Sequence, residues 1–114
     1  MLACAIRATG DLDRIQLLDL PAPPPPAPGE VRVAVRAAAL NHLDLFVVRG
    51  LSHEIFFPHI LGADGAGVVD AVGSAVTRVK PGDHVIINPG ISDYTCEYCR
   101  AGEHSLCVKF RLLG

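Results

Sequence analysis

The sequence predicts a mainly β fold, a small barrel or sandwich with one short helix. Short apolar segments rich in valine and isoleucine recur between turn residues, as in antiparallel strands. Only one segment has the caps of a helix, and the regular alternation of strand and helix typical of βαβ units is missing. The 114 residues suffice for one domain, and 50% of them are hydrophobic, so a folded chain is expected.

Residues 2–8 form the first predicted strand, which ends at the turn residues Thr9, Gly10 and Asp11. Residues 15–20 are apolar enough to be its antiparallel partner. Proline cannot donate a backbone hydrogen bond, so the proline-rich residues 21–30 are predicted to form an extended loop rather than a strand.

In residues 31–40, the first six positions alternate strictly between valine and another residue type. Val31, Val33 and Val35 would point to one face and Arg32, Ala34 and Arg36 to the other, which predicts a half-buried strand. A short helix is predicted over residues 41–50. Asn41 is a suitable N-cap, Asp44 lies in the first turn, where the helix dipole favours an acid, and Gly50 can end the helix.

Two more strands are predicted over residues 68–72 and 83–87, the second entered through the turn Lys80-Pro81-Gly82. The glycine-rich segment before the first of them, Gly65-Ala66-Gly67, suggests a dinucleotide-binding loop. Such a loop lies between a strand and a helix, whereas a valine-rich strand follows here. We therefore interpret these glycines as sites of a bulge or of close backbone approach.

Composition excludes several classes of partner. The net charge is −2 and no run of lysine or arginine occurs, which argues against nucleic acid and against an anionic membrane surface. The apolar runs are too short to span a bilayer, and the N-terminus does not have the pattern of a secretory signal. We therefore expect a cytoplasmic protein whose clustered cysteines bind metal rather than form disulfides.

Three of the four cysteines, Cys96, Cys99 and Cys107, have the spacing of metal ligands. A structural zinc site is tetrahedral and takes four protein ligands. The remaining cysteine, Cys4, is far away in the chain, where it is most simply a small buried hydrophobic residue. The spacing therefore predicts a zinc site but does not identify its fourth ligand.

The order of four segments carries a family resemblance. PGEVRVAVRAAALNHLD, LGADGAGVVDAVG, VKPGDHVIINPG and the cysteine-rich segment follow one another along nearly the whole chain. This order resembles the N-terminal, GroES-like domain of the medium-chain dehydrogenase/reductase superfamily, in particular its quinone oxidoreductase and zinc-binding dehydrogenase-like branches. The resemblance implies a partly open β-barrel with a zinc lobe. It also implies that residues 1–114 are an incomplete domain, without the Rossmann domain that binds NAD(P)H.

The cysteine lobe of the family usually has the pattern Cys-x2-Cys-x2-Cys-x7-Cys. Its last three cysteines correspond to Cys96, Cys99 and Cys107, and its first to Asp93. Aspartate oxygen is a competent zinc ligand. The resemblance thus implies one structural zinc within the lobe of residues 93–107, held by Asp93 and the three cysteines. His104 as the fourth ligand, and a lobe without metal, stay open as alternatives.

The residues that bind and serve the catalytic zinc of the family's alcohol dehydrogenases are replaced. The ligand cysteine and histidine correspond to Asn41 and Ala63, and the proton-relay hydroxyl and histidine correspond to Leu43 and Phe46. The resemblance therefore implies that no catalytic zinc is bound. His59 is the nearest substitute ligand, although a histidine held within a loop is the commoner case.

Asn41 and Asp44 are the catalytic candidates that the resemblance implies. An amide donor at Asn41 could stabilise the substrate oxygen during hydride transfer, and Asp44 matches an active-site aspartate. His42 matches a position near the cofactor pyrophosphate. The alternatives are a helix cap for Asn41, compensation of the helix dipole for Asp44 and a solvated surface position for His42. Asp64 replaces a family glutamate and has no assigned role.

His53 and His84 belong to no cluster and are interpreted as surface or turn residues.

The resemblance implies a function, hydride transfer from NAD(P)H to a quinone, carbonyl or conjugated alkene. The complete enzyme would act on a small molecule and would be a homo-oligomer, and the chain alone would be inactive. Two alternatives stay open: a zinc-dependent alcohol dehydrogenase with unusual ligands, and a non-enzymatic zinc-binding interaction module.

Overall fold

The structure is a computed structural model that describes residues 1–51 and 55–114. These described residues contain two short α-helices, two 3-10 turns and eight strands. The strands are β1 (Leu2–Ile6), β2 (Gln16–Asp19), β3 (Val31–Ala38), β4 (His59–Ile60), β5 (Gly65–Val72), β6 (His84–Ile87), β7 (Gly90–Ile91) and β8 (Arg111–Leu112). The helices are α1 (His42–Val48) and α2 (Glu97–Arg100), and the 3-10 turns are Leu12–Arg14 and His104–Leu106.

The first sheet has the order β2-β1-β4, with all neighbours antiparallel. The predicted pairing of the first two strands is therefore confirmed, with Leu2 opposite Asp19. Both strands are shorter than predicted. The chain between them folds into the 3-10 turn Leu12–Arg14, whose first backbone N–H donates to the Asp11 side chain at 3.0 Å.

The second sheet has the antiparallel order β3-β5-β6. Strand β5 begins at Gly65, three residues before its predicted start, so the glycine-rich segment is itself part of a strand. This confirms that the segment is not a phosphate-binding loop. The predicted turn before β6 is also confirmed, because Asp83 N–H donates to the Lys80 carbonyl at 3.1 Å and Gly82 has a φ of 94°.

Gly67 lies where two backbones approach closely. The register between β3 and β5 shifts twice, between Arg32 and Val33 and between Val35 and Ala37. A Cβ atom at Gly67 would overlap the carbonyl oxygen of Ala34, a main-chain atom of the neighbouring strand. The predicted role of glycine in this strand, to permit a bulge and close approach, is confirmed.

We expect Gly67→Ala to lower the free energy of unfolding by about 2–3 kcal/mol, because β3 must move to accept the methyl group. Chemical denaturation of the complete protein measures this change. Gly29→Ala is the matched control, since its Cβ would meet no atom within 4 Å and should change stability by less than about 0.5 kcal/mol. Equal losses in the two variants would contradict the close-approach argument.

The core lies between β1 and α1. Ile6 and Val48 are fully buried, Val47 is nearly so, and four partly buried residues pack around them: Ile15, Leu43, Ile55 and Leu61. The predicted helix is confirmed as α1, with Asn41 at its N-cap position and Asp44 in its first turn. Residues 21–27 form neither helix nor strand, as predicted for the proline loop.

One prediction for β3 is wrong. Its alternating valines indicated a half-buried strand, yet Val35 is 57% exposed and Val31 38%. Strand β3 pairs edge to edge with β5, and this pairing satisfies backbone groups without covering the side chains that project from the sheet. Within the described residues, the longest α-helix has seven residues, and none is long and apolar enough to cross a membrane.

Candidate functional site

The cysteine lobe gathers four potential metal ligands. One ligand atom from each of Asp93, Cys96, Cys99 and Cys107 lies within 4.8 Å of all the others. Asp93 follows β7, Cys96 immediately precedes α2, Cys99 lies within it, and Cys107 follows the second 3-10 turn. Cys99 and Cys107 are buried, and the other two are half-buried. We call these four residues the cysteine cluster.

Asp93 is held by the backbone that follows it. Its Oδ1 accepts hydrogen bonds from Cys96 N–H at 3.0 Å and from Thr95 N–H at 2.9 Å. These two bonds lower the pKa of the Asp93 carboxyl far below its usual range, so the group is ionised at neutral pH. Within the described residues no backbone N–H donates to Oδ2, which leaves this oxygen for a cation.

The thiols have different environments. Cys107 Sγ accepts from the backbone N–H groups of Asp93 at 3.3 Å and Lys109 at 3.4 Å. Backbone N–H groups, first that of Cys99, lower the pKa of Cys96, whereas burial raises the pKa of Cys99 to about 12. A bound cation deprotonates a coordinating thiol, which would offset the cost of burying the Cys99 thiolate.

Three sulfurs and one carboxylate oxygen, gathered around one point, suit tetrahedral zinc. The structure brings Asp93 to the three sulfurs, whereas the ring of the alternative ligand His104 packs against Tyr94, with ring centroids 4.7 Å apart. The chemistry of this donor set therefore fits one zinc ion. No second group of three or more histidine, cysteine or acidic side chains with metal-site geometry occurs in residues 1–51 and 55–114.

The start of α1 forms a second candidate site. Asp44, which is 9% exposed, accepts two backbone hydrogen bonds, one at each carboxylate oxygen. Oδ2 accepts from Asn41 N–H at 2.8 Å, and Oδ1 accepts from Gly62 N–H at 2.8 Å. Asp44 thus joins the N-terminus of α1 to the connection between β4 and β5. Both of its oxygens are engaged, so this geometry suits positioning better than contact with substrate.

Two further hydrogen bonds join the same segments. The Asn41 side-chain amide donates to Asp64 Oδ2, and Ala39 N–H donates to the Asp64 carbonyl oxygen at 3.3 Å. Asn41 is exposed and Asp64 is half-buried. We call Asn41, Asp44, Gly62 and Asp64 the Asn41 network. The neighbouring Ala63, where the resemblance would place a zinc-binding histidine, offers only a methyl group.

Residues of this network line two cavities. The larger, about 630 Å³, is mainly apolar, and its polar lining consists of Asn41, His42 and Asp44, with Cys4 half-buried among leucine and isoleucine side chains. The smaller, about 290 Å³, includes Asp64 beside residues of β3, β5 and β6. His42, which lines the larger cavity, is exposed.

His59 and His84 belong to neither site. His59 is in β4, opposite Ile6, and His84 is exposed at the start of β6. His53 lies outside the described residues. The role of Asp64 was missed in the sequence, because the Asn41–Asp64 and Asp44–Gly62 contacts join residues 23 and 18 positions apart. The only signal in the sequence is that Asp64 is an acidic residue next to Ala63, the position that matches the family's zinc-binding histidine.

Comparison with known proteins gives consistent results. The family described as "Alcohol dehydrogenase GroES-like domain" matches residues 27–114. The chain is similar to S-(hydroxymethyl)glutathione dehydrogenase of Escherichia coli O1:K1 / APEC, with 47% identity over 79% of this chain and 24% of the relative. It therefore spans about a quarter of the length of that relative.

Among solved structures, the chain is similar to an NAD-dependent alcohol dehydrogenase, with 52% identity and a TM-score of 0.92 over 100% of this chain and 33% of that one. It also resembles a quinone oxidoreductase of Pseudomonas syringae pv. Tomato DC3000, with 38% identity and a TM-score of 0.73 over 78% of this chain and 27% of that one. The likeness to the alcohol dehydrogenase, which covers the whole chain, confirms the predicted GroES-like fold. The likeness to the quinone oxidoreductase covers less of the chain.

Proposed function

Because the chain belongs to the family of alcohol dehydrogenase GroES-like domains, the N-terminal domain of the medium-chain dehydrogenase/reductase superfamily, we propose that it is part of an NAD(P)-dependent oxidoreductase. NAD(P)H, bound mainly by a Rossmann domain of the complete enzyme, would supply the hydride. The substrate would be a small molecule with a carbonyl, quinone or conjugated alkene group. We propose that the protein binds neither nucleic acid nor membranes. We propose a cytoplasmic homo-oligomer of complete chains.

The residues at the start of α1 would bind and orient the substrate without a catalytic zinc. Hydride addition to a carbonyl or quinone develops negative charge on oxygen, and a fixed hydrogen-bond donor stabilises that charge. Asn41 supplies an amide donor at the edge of the larger cavity. Asp44 holds the backbone of Asn41 in place, and His42 is proposed to contact the cofactor from the wall of the larger cavity.

The single observation that carries the zinc-free mechanism is the chemistry of the Asn41 network. An amide nitrogen donating to a carboxylate, beside the methyl group of Ala63, replaces the sulfur and imidazole that a reactive zinc prefers. The alternative is a zinc-dependent alcohol dehydrogenase with unusual ligands. It is favoured by the 52% identity to an NAD-dependent alcohol dehydrogenase.

We also propose one structural zinc in the cysteine cluster. Asp93, Cys96, Cys99 and Cys107 would hold it, and zinc would supply a cross-link between the loops of a lobe that has little other regular structure. The buried sulfurs of Cys99 and Cys107, and an Asp93 carboxylate oxygen within 4.8 Å of them, support this assignment.

Zinc content and turnover of the complete enzyme test the proposal together. We expect one zinc per chain by elemental analysis, and oxidation of NADH or NADPH with 1,4-benzoquinone, an aldehyde or an enone as acceptor. Two zinc ions per chain, with alcohol oxidation that a chelator abolishes, would support the alcohol dehydrogenase instead. No zinc would contradict the structural site, and no turnover with any of these acceptors would contradict the proposed reaction.

A further inference from the structure

We propose that Asp64 is a positioning residue that fixes the Asn41 amide in the orientation in which it donates a hydrogen bond to the substrate oxygen. This inference rests on the proposed function and assigns a role to a residue that no motif explains. Asp64 would act through Asn41 and would not itself touch the substrate.

The backbone geometry brings these two residues together from separate segments. Asp44 Oδ1 accepts from Gly62 N–H at 2.8 Å, and the Asp64 carbonyl oxygen accepts from Ala39 N–H at 3.3 Å. These two links hold the connection after β4 against the chain that enters α1. The Asp64 carboxylate can then accept from the Asn41 amide.

An asparagine amide needs such a partner if it is to act as a donor. Its terminal torsion is broad and roughly two-fold, so an exposed amide exchanges its oxygen and nitrogen ends readily. An ionised carboxylate only accepts hydrogen bonds, so Asp64 holds the nitrogen end toward itself and disfavours the flipped form. One amide hydrogen is used in this bond, and the second remains for a substrate oxygen.

The position of the pair agrees with this role. Asn41 lines the larger, mainly apolar cavity, whereas Asp64 lines the smaller cavity. Among the described residues, the lining of the larger cavity includes Asn41 but not Asp64. A substrate oxygen in that cavity would meet the Asn41 amide donor rather than the Asp64 carboxylate, as stabilisation of a developing negative charge requires.

A double-mutant cycle in the complete enzyme tests the proposal, with hydride transfer to the best acceptor as the readout. We expect Asn41→Ala to lower kcat about 100-fold, as for the loss of one oxyanion donor. Asp64→Ala should lower kcat about 10-fold with little change in KM for the acceptor, because the donor is misplaced rather than removed. Asp64→Asn, which keeps an acceptor oxygen, should retain kcat within about 3-fold.

The double variant Asn41→Ala/Asp64→Ala should be no slower than Asn41→Ala alone, since Asp64 then has nothing to orient. Additive losses, or a normal kcat in Asp64→Ala, would overturn the inference and leave the proposed function standing. A normal kcat in Asn41→Ala would overturn the proposed role of Asn41 and this inference with it. If Asp64→Ala does not fold, Asp64→Leu replaces it, because leucine keeps the volume and lacks an acceptor.

Discussion

Replacement of Asp44 by alanine is expected to lower the free energy of unfolding by about 3 kcal/mol, because two backbone hydrogen bonds are lost. The carboxylate is 9% exposed, and each oxygen accepts one backbone hydrogen bond of 2.8 Å. Its loss leaves two N–H donors, those of Asn41 and Gly62, without a partner. It also frees the connection after β4 from the helix. Chemical denaturation of the complete protein measures the change.

Asp70→Ala is the matched control, since it removes the same charge from an exposed site. Asp70 forms an ion pair with Arg32 at 2.7 Å, and both side chains are at least 36% exposed. An exposed pair contributes less than about 1 kcal/mol. If Asp44→Ala were no more destabilising than Asp70→Ala, Asp44 would not be the structural link that its hydrogen bonds indicate. A direct catalytic role would then regain support.

Replacement of Asp93 by alanine is expected to release the zinc that we propose for the cysteine cluster. The wild-type protein should retain one zinc per chain after dialysis against a mild chelator, and Asp93→Ala should retain less than about half, because one of four ligands is lost. Asp93→Cys should bind at least as tightly as the wild type, since it supplies a fourth thiolate at the same position. Elemental analysis measures all three proteins.

His104→Ala is the matched control for this experiment. The His104 ring packs against Tyr94, and the ligand atoms that lie together include Asp93 instead. We expect His104→Ala to keep its zinc. If His104→Ala lost its zinc while Asp93→Ala kept it fully, the fourth ligand would be His104 and not Asp93.

Much of the fold follows from local patterns. The alternation in residues 31–36, the caps of α1 and the turn Lys80-Pro81-Gly82 each depend on neighbours within a few positions, and the structure contains all three elements. The degree of burial of β3 could not be predicted in the same way. The alternation of residues predicts that one face of the strand is apolar. Whether that face is buried depends on a second layer of structure that packs against it.

The boundaries of β5 and the two short strands on either side of the cysteine lobe were not predicted. Gly65 and Gly67 have low β-propensity, and they lie in a strand because β3 and β6 pair with that backbone on both sides. Strands β7 and β8 have two residues each, too few for a periodic pattern, and they form because the lobe brings their backbones together.

The sequence by itself determined the β-rich class, the family resemblance and the identity of the candidate ligands and donors, because side-chain chemistry and spacing are local properties. Only the tertiary structure decided which of these groups meet. It brought Asp93 rather than His104 to the three sulfurs, engaged both oxygens of Asp44 and joined Asp64 to Asn41. The contacts of Asp44 with Gly62, of Asn41 with Asp64 and of Asp93 with Cys107 link residues 18, 23 and 14 positions apart. They depend on how the turns and sheets direct each backbone, which no local pattern contains.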